Sequence, residues 1–321
     1  MKKQHVLIMA LMVLSLLTIG CTSKASVQSQ ATKNEVSISY VKLPLNVPSI
    51  IEKKETLFEN AFGEKDVNVT FSEITQGSKM TEAMAAGSLD FCNALGGTSA
   101  ILAAANGLDI KVIGIYSRAP EAFTIMSNDA DINSITDLKG KKIVGPKGTI
   151  LHQLLLSALV SEGLSLDDVE FINMGIGDGL VALSSDNADV ALVAGPAVTQ
   201  ALESGNHVIT TGKGYLDATI VIATTGDMVE NHRDLVETYM GVHDNSLTFM
   251  SEHPDEMYAL VAEETGISVD AVKTMYPWYD FNPKITGKDI EELKKTQTFL
   301  IDNGMLENEI DIESIIMDMT K

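Results

Sequence analysis

Two passages place glycine and hydroxyl-bearing residues directly after an apolar run and directly before a helical one. Gly96-Gly97-Thr98-Ser99 precedes an alanine-rich helical stretch, and Lys147-Gly148-Thr149 precedes the stretch from Leu151 to Ser161. A helix that begins right after a strand leaves backbone N–H groups unpaired and carries partial positive charge at that end. Such a start can cradle a sulfonate, phosphate or carboxylate, with the Thr and Ser hydroxyls as added donors. The plain alternative for Gly148 and Thr149 is an ordinary helix start. Asp178 opens a further helix, where it either caps the N-terminus or receives an amine or ring N–H. Trp278, the only Trp, lies in Met-Tyr-Pro-Trp-Tyr-Asp-Phe, a patch that either packs in the core or stacks on a bound molecule.

Other chemistries lack their residues. The six His stand at positions 5, 152, 207, 232, 243 and 253, with no pair at metal-ligand spacing, so no metal site is expected. The two Cys, Cys21 and Cys92, form no CxxC and no disulfide framework, and Cys92 reads as a small buried hydrophobe. Gly175-Ile-Gly177-Asp-Gly179 is GxGxG rather than the dinucleotide GxGxxG. His232-Arg-Asp-Leu235 lacks a Gly-rich phosphate loop and reads as the polar start of a helix. No Ser-His-Asp or paired-carboxylate constellation can be assigned, and no cofactor is expected. A formal charge of −21, spread along the chain, argues against nucleic acid and against polybasic membrane contact.

The elements that must hold the two glycine passages appear in duplicate. Gly77 to Asp90, continuing to Gly96, aligns without a gap on Ile176 to Asp189, continuing to Gly195, at an offset of 99 residues. Each copy reads as a short helix, a turn ending in Asp, a buried strand, then Gly opening another helix. Strands are predicted at 36–41, 67–71, 91–95, 110–116, 123–126, 142–144, 169–172, 190–193 and 208–209, with helical stretches between them, and a return strand at 215–224. The β-α-β-α order predicts mainly parallel sheets covered by helices. Helices are expected from Asp234 to Met250, Asp255 to Glu264, Val269 to Met275, Asp289 to Asn303 and Ile310 to Met317. Two similar α/β lobes of about 100 residues or slightly more, facing each other across a cleft, account for this pattern.

The first 20 residues carry Lys2 and Lys3, then an uncharged run from Val6 to Ile19, as a secretory signal does. Gly20-Cys21 looks like a bacterial lipoprotein site, although Thr18 stands where Leu is commonest. Cys21 would be the acylated mature N-terminus. Residues 22–35 read as a flexible tether.

Three passages, Glu82-Ala-Met-Ala-Ala-Gly-Ser-Leu-Asp90, Leu138-Lys-Gly-Lys-Lys-Ile-Val-Gly-Pro-Lys-Gly-Thr149 and Gly163-Leu-Ser-Leu-Asp-Asp-Val169 leading into Asp189, resemble the substrate-binding proteins of ABC importers for sulfonates, taurine, nitrate and related anions. The resemblance spans most of the mature chain and is weakest in the C-terminal third. It implies an α/β, two-lobed periplasmic-binding-protein-like fold of type II, with residues 36–118 in lobe 1, 119–222 in lobe 2, and 223–321 returning to lobe 1 and the C-terminal helices. Hinges are expected near 117–122 and 215–224. The resemblance further implies cleft contacts from Lys42 and Leu43, from Gly97, Thr98 and Ser99, from Ser117 and Arg118, from Gly148 and Thr149, and from the Asp178 turn. Lys42 is otherwise a solvated charge, and Arg118 otherwise a salt bridge bracing the hinge.

The expected protein is an exported, lipid-anchored monomer, not an enzyme, with a small-molecule ligand and an ABC permease as partners. Its location is the outer face of the cytoplasmic membrane or the periplasm. Sulfonate, taurine, nitrate, bicarbonate, an aromatic acid and a thiamine-type pyrimidine remain open as ligands. A sensor lobe for a membrane receptor is a rival. So are pyrimidine- and menaquinone-pathway enzymes on the same fold, but those are cytoplasmic, whereas this chain carries an export signal.

Overall fold

The structure, a computed structural model, describes residues 33–42 and 44–320. The expected signal, Cys21 and Leu43 lie outside the described residues. The first half of lobe 1 comprises β1 (Glu35–Tyr40), α1 (Val47–Lys54), α2 (Leu57–Gly63), β2 (Asn68–Glu73), α3 (Gly77–Ala85), β3 (Phe91–Gly96), α4 (Gly97–Ala105) and β4 (Ile110–Arg118). Lobe 2 follows with β5 (Phe123–Ser127), β6 (Lys142–Gly145), α5 (Ile150–Ser161), β7 (Glu170–Asn173), α6 (Ile176–Ser184), β8 (Val190–Ala194), α7 (Pro196–Glu203) and β9 (His207–Thr211). The chain then returns through β10 (Thr219–Thr225) to α8 (Gly226–Asn231), α9 (Arg233–Glu252), α10 (Pro254–Thr265), α11 (Val269–Met275) and α12 (Gly287–Asp302).

Two five-stranded sheets result, ordered β2-β1-β3-β10-β4 and β7-β6-β8-β5-β9. In each, one strand arrives from the other lobe and runs antiparallel to both neighbours: β10 between β3 and β4, and β5 between β8 and β9. The remaining strands of each sheet share one direction, so helices begin at the same, carboxyl, edge of both sheets. This is the type II arrangement expected from the sequence. β10 already belongs to the first sheet, so the chain has re-entered lobe 1 by Thr219, ahead of the boundary drawn at residue 222.

The repeat is visible as structure. α3 and α6 are nine residues each and stand in the 99-residue register. Each ends on a left-handed residue, Gly87 (φ 71°) and Asp186 (φ 56°), which turns the chain toward the next strand. Asp90 then accepts bonds from the Ser37 N–H (2.9 Å) and hydroxyl (3.0 Å), pinning β3 to β1. Asp189 accepts from the Lys142 N–H (2.8 Å), pinning β8 to β6. The lobe 1 core rests on fully buried Phe58, Phe62, Phe91 and Tyr239, with Phe91 stacked on Tyr239 at 4.3 Å between centroids. Each such burial contributes about 1.5–3 kcal/mol. Cys92 is sealed beside it, as expected of a small hydrophobe, and burial pushes its thiol pKa up.

Two expectations fail for local reasons. The return strand begins at Thr219 rather than Tyr215, because Gly214 (φ 88°) and Ala218 (φ 50°) keep the preceding segment turning. The helix expected over 310–317 is only a 3-10 turn, Ile312–Ile315. Beyond it the chain extends, and Met317 N–H and Met319 N–H donate to Val112 and Ile113 carbonyls of β4 at 2.8 and 3.0 Å. β4 is an edge strand, and pairing its exposed edge outweighs a helical apolar period.

Candidate functional site

The carboxyl edges of the two sheets meet in a seam. Ser99 Oγ donates to the Gly148 carbonyl at 3.1 Å. Thr98 Oγ1 donates to Gln153 Oε1 at 2.6 Å, and Gln153 Nε2 donates to Thr296 Oγ1 at 3.1 Å. The Pro44 carbonyl lies where a Cβ on Gly195 would fall, so only glycine lets the loop after β1 seat on the start of α7. Gly175, at the start of α6, faces Gln76 at the start of α3.

α3 to α7 all begin at this seam, and none has a side-chain cap; their N-cap residues are Gln76, Gly96, Thr149, Gly175 and Gly195. Thr149 occupies the N-cap position but turns its hydroxyl back to the Pro146 carbonyl (2.8 Å). Away from the seam, Thr225, Ser268 and Thr286 cap α8, α11 and α12 with their hydroxyls, whereas α2, α9 and α10 also start without a cap. A helix start without a cap keeps its donors and partial positive charge for another acceptor. α4 is the richest, with Gly97 followed by two hydroxyls, Thr98 and Ser99, all buried at the seam. Gly97 has no room for a side chain, since a Cβ would strike Leu293 and the Thr219 carbonyl.

The lobe 2 side is organised by the loop before α5. Asn173 Oδ1 accepts from the Lys147 N–H at 2.9 Å, and His152 Nδ1 accepts from the Gly148 N–H at 3.3 Å. Burial, reinforced by the nearby Lys147 charge, brings the His152 pKa down to about 4, so the ring is neutral near pH 7. The Lys147 side chain is exposed, and among the described residues no ion pair engages it. It lines, with Ser78, Ser99, Leu102 and Gly148, a cavity of about 810 Å³ that opens beside the seam and runs along α4 as far as Asn106. That cavity shares Ser99 and Gly148 with the seam and extends from it along α4. The strand-end seam, where loops of an open α/β sheet hold ligands, is the better site.

The structure brings Gly97, Thr98, Ser99, Gly148 and Thr149 together and disperses the rest. Arg118 is the brace of its two readings. Its guanidinium donates to Asp289 (Nε–Oδ1 2.5 Å, Nη2–Oδ2 2.7 Å), to Asp280 (3.2 Å) and to the Asn282 and Lys284 carbonyls (3.1 and 3.0 Å). All five donors are spent, which leaves none for a ligand. Burial disfavours its charge, but the Asp289 and Asp280 carboxylates hold its pKa above the ordinary value. Lys42 turns toward α10, 3.9 Å from Glu264. Asp178 is exposed in the first turn of α6 and does not cap it, because Gly175 is the N-cap. Ser117 is fully buried in the hinge strand opposite Ile220, its hydroxyl without a partner among the described residues. Trp278 sits in a 3-10 turn, half-buried against the main core beside the first hinge crossing. Gln153 and Gln76 lie outside the residues that the sequence reading singles out. Gln153 carried a faint signal, since His152-Gln153 is a polar pair inside the otherwise apolar run from Ile150 to Leu156.

A family model described as NMT1/THI5 like matches residues 60–257. The chain is similar to two proteins named for binding aliphatic sulfonates. That of Escherichia coli strain K12 is 23% identical, with 96% of each chain covered. That of Bacillus subtilis strain 168 is 24% identical, with 98% of this chain and 95% of the relative covered. Among solved structures, the alkanesulfonate-binding protein SsuA of Xanthomonas axonopodis pv. citri bound to MOPS superposes with a TM-score of 0.81 at 20% identity, over 90% of this chain and 100% of that one. At that identity the likeness speaks for the fold.

Proposed function

The chain belongs to the NMT1/THI5-like family, and on that premise we propose that it is an exported solute-binding protein that closes on a small organic sulfonate and delivers it to an ABC importer. The observation that carries this reading is the meeting of uncapped helix starts at one seam, with the Ser99 hydroxyl of α4 against the Gly148 loop and the Thr98 hydroxyl against Gln153 of α5. In a chain of net charge −21, general electrostatic attraction works against anion capture, so local N–H and hydroxyl donors must supply it. No bond is made or broken. A ligand bridging both lobes favours the closed state only through its extra contacts there. The relatives named for aliphatic sulfonates set sulfonate ahead of nitrate, bicarbonate and pyrimidine. Anchoring through a lipid on Cys21 and a monomeric state belong to the same proposal.

The test is a thermal-shift titration of the purified protein with methanesulfonate, taurine, nitrate, bicarbonate and a thiamine-type pyrimidine. Sulfonates should raise Tm, since ligand at 100 times Kd adds about 2.7 kcal/mol of stability. A Tm unmoved by every sulfonate overturns the assignment of ligand class. Incorporation of a labelled fatty acid in cells, lost in Cys21→Ser, checks the anchor.

A further inference from the structure

The side chain of Gln153 belongs to lobe 2, one turn into α5, yet both of its hydrogen-bond partners belong to lobe 1. Thr98 sits in the first turn of α4, and Thr296 sits in the middle of α12. The three side chains form a bridge across the seam, with Thr98 2% and Gln153 6% exposed. Little space surrounds it: the gap lined by Gly97, Thr98, Ile150, Gln153 and Thr296 is about 10 Å³. A carboxamide suits this position because it offers an acceptor on one side and donors on the other, and each threonine hydroxyl can play either role. Both of its bonds must break when the lobes part, whereas no contact within either lobe depends on them.

We propose that Gln153 is the clasp of the closed state, a positioning residue that sets how long the lobes stay together and so how slowly a bound molecule leaves. The inference rests on the two-lobed binding reading, but its mechanism does not depend on which ligand is bound. α12 is thereby part of the closure machinery: it is held to α4 within lobe 1 and capped by Thr286 with a reciprocal Asp289 bond. A helix from the C-terminal region thus reports on the seam without lining the ligand's side of it. Thr98 has a double duty, since its helix start faces the seam while its hydroxyl is committed to Gln153.

Small-angle X-ray scattering of the full protein without added ligand reads the clasp directly. Gln153→Ala should shift the open-to-closed ratio about tenfold toward open, the expected consequence of losing two buried hydrogen bonds. The radius of gyration should rise accordingly. Thr296→Val, which keeps shape and removes only the hydroxyl, should produce a smaller shift in the same direction. Its effect should vanish in the Gln153→Ala background, because the two residues act as one bridge. An unchanged scattering curve for a folded Gln153→Ala protein overturns the proposal, as does a full Thr296→Val effect in the Gln153→Ala background. Taurine added to each variant separates the two claims. No binding to the wild type counts against the ligand class alone, whereas binding with an unaltered dissociation rate in Gln153→Ala counts against the clasp.

Discussion

The start of α4 and the start of α7 occupy the same place in the two copies of the repeat, and they are built for different tasks. Up to that point the copies agree, with α3 on α6, Gly87 on Asp186 and Asp90 on Asp189. β8 then pairs with β5 in unbroken register through Ala194, and α7 opens as Gly195-Pro196-Ala197-Val198. β3 instead carries Ala94 at φ 64°, its pairing with β10 shifts register between Val221 and Ala223, and α4 opens as Gly97-Thr98-Ser99. One copy offers hydroxyls at a bulged strand end. The other offers a proline, which has no N–H, directly after Gly195, the residue that Pro44 covers. The repeat supplies the frame twice, and hydroxyls open the following helix in one copy only.

The difference can be broken from either side. The largest effect belongs to the Arg118 brace, which has no counterpart in lobe 2 among the described residues. Arg118→Met leaves Asp289, 2% exposed, as a buried carboxylate without its cation, and should cost about 3 kcal/mol in chemical denaturation. Burial alone would raise the Asp289 pKa, but bonds from Arg118 and Thr286 hold it below the usual carboxylate range. Its stabilisation is therefore complete above the unfolded carboxylate pKa of about 4 and is lost as pH falls through the lower folded value. Arg118→Met should flatten that acid limb.

Next is the glycine pair. Gly195→Ala drives a Cβ into the Pro44 carbonyl at a backbone φ of 57° and should hold the lobes apart, weakening sulfonate binding about 100-fold, or 2.7 kcal/mol. Gly96→Ala meets only Ile150, at 3.4 Å, and should change affinity less than about threefold. The smallest expected change is chemical. Ser99→Ala should weaken binding about tenfold with little change in Tm, while Val198→Thr, its lobe 2 mirror three residues beyond Gly195, should leave affinity unaltered. Equal losses from the two would remove the asymmetry.

Much of this was legible because it is local. Apolar runs bounded by Gly and Asp mark the strands, and the 99-residue register predicts the shared frame. Gly97–Ser99 and Gly148–Thr149 were each legible as helix starts for the same reason, since they follow β3 and β6, strands that share the common direction of their sheets. What escaped depends on distant partners. Arg118 is a brace because Asp280 and Asp289 reach it from more than 160 residues away. Gln153 acts across the seam, and nothing in the sequence near it names Thr98 or Thr296. The segment 316–319 is extended because it covers the edge of β4, a fact about sheet order rather than about its own residues.

The measurement that bears most directly on the central claim is a crystal structure of the protein grown with a short alkanesulfonate, its sulfur located by anomalous scattering. The sulfur should lie at the start of α4, with sulfonate oxygens within hydrogen-bond distance of Ser99 and the Gly148–Thr149 loop. A sulfur at the start of α7, or in the flanking cavity near Asn106, would contradict that claim.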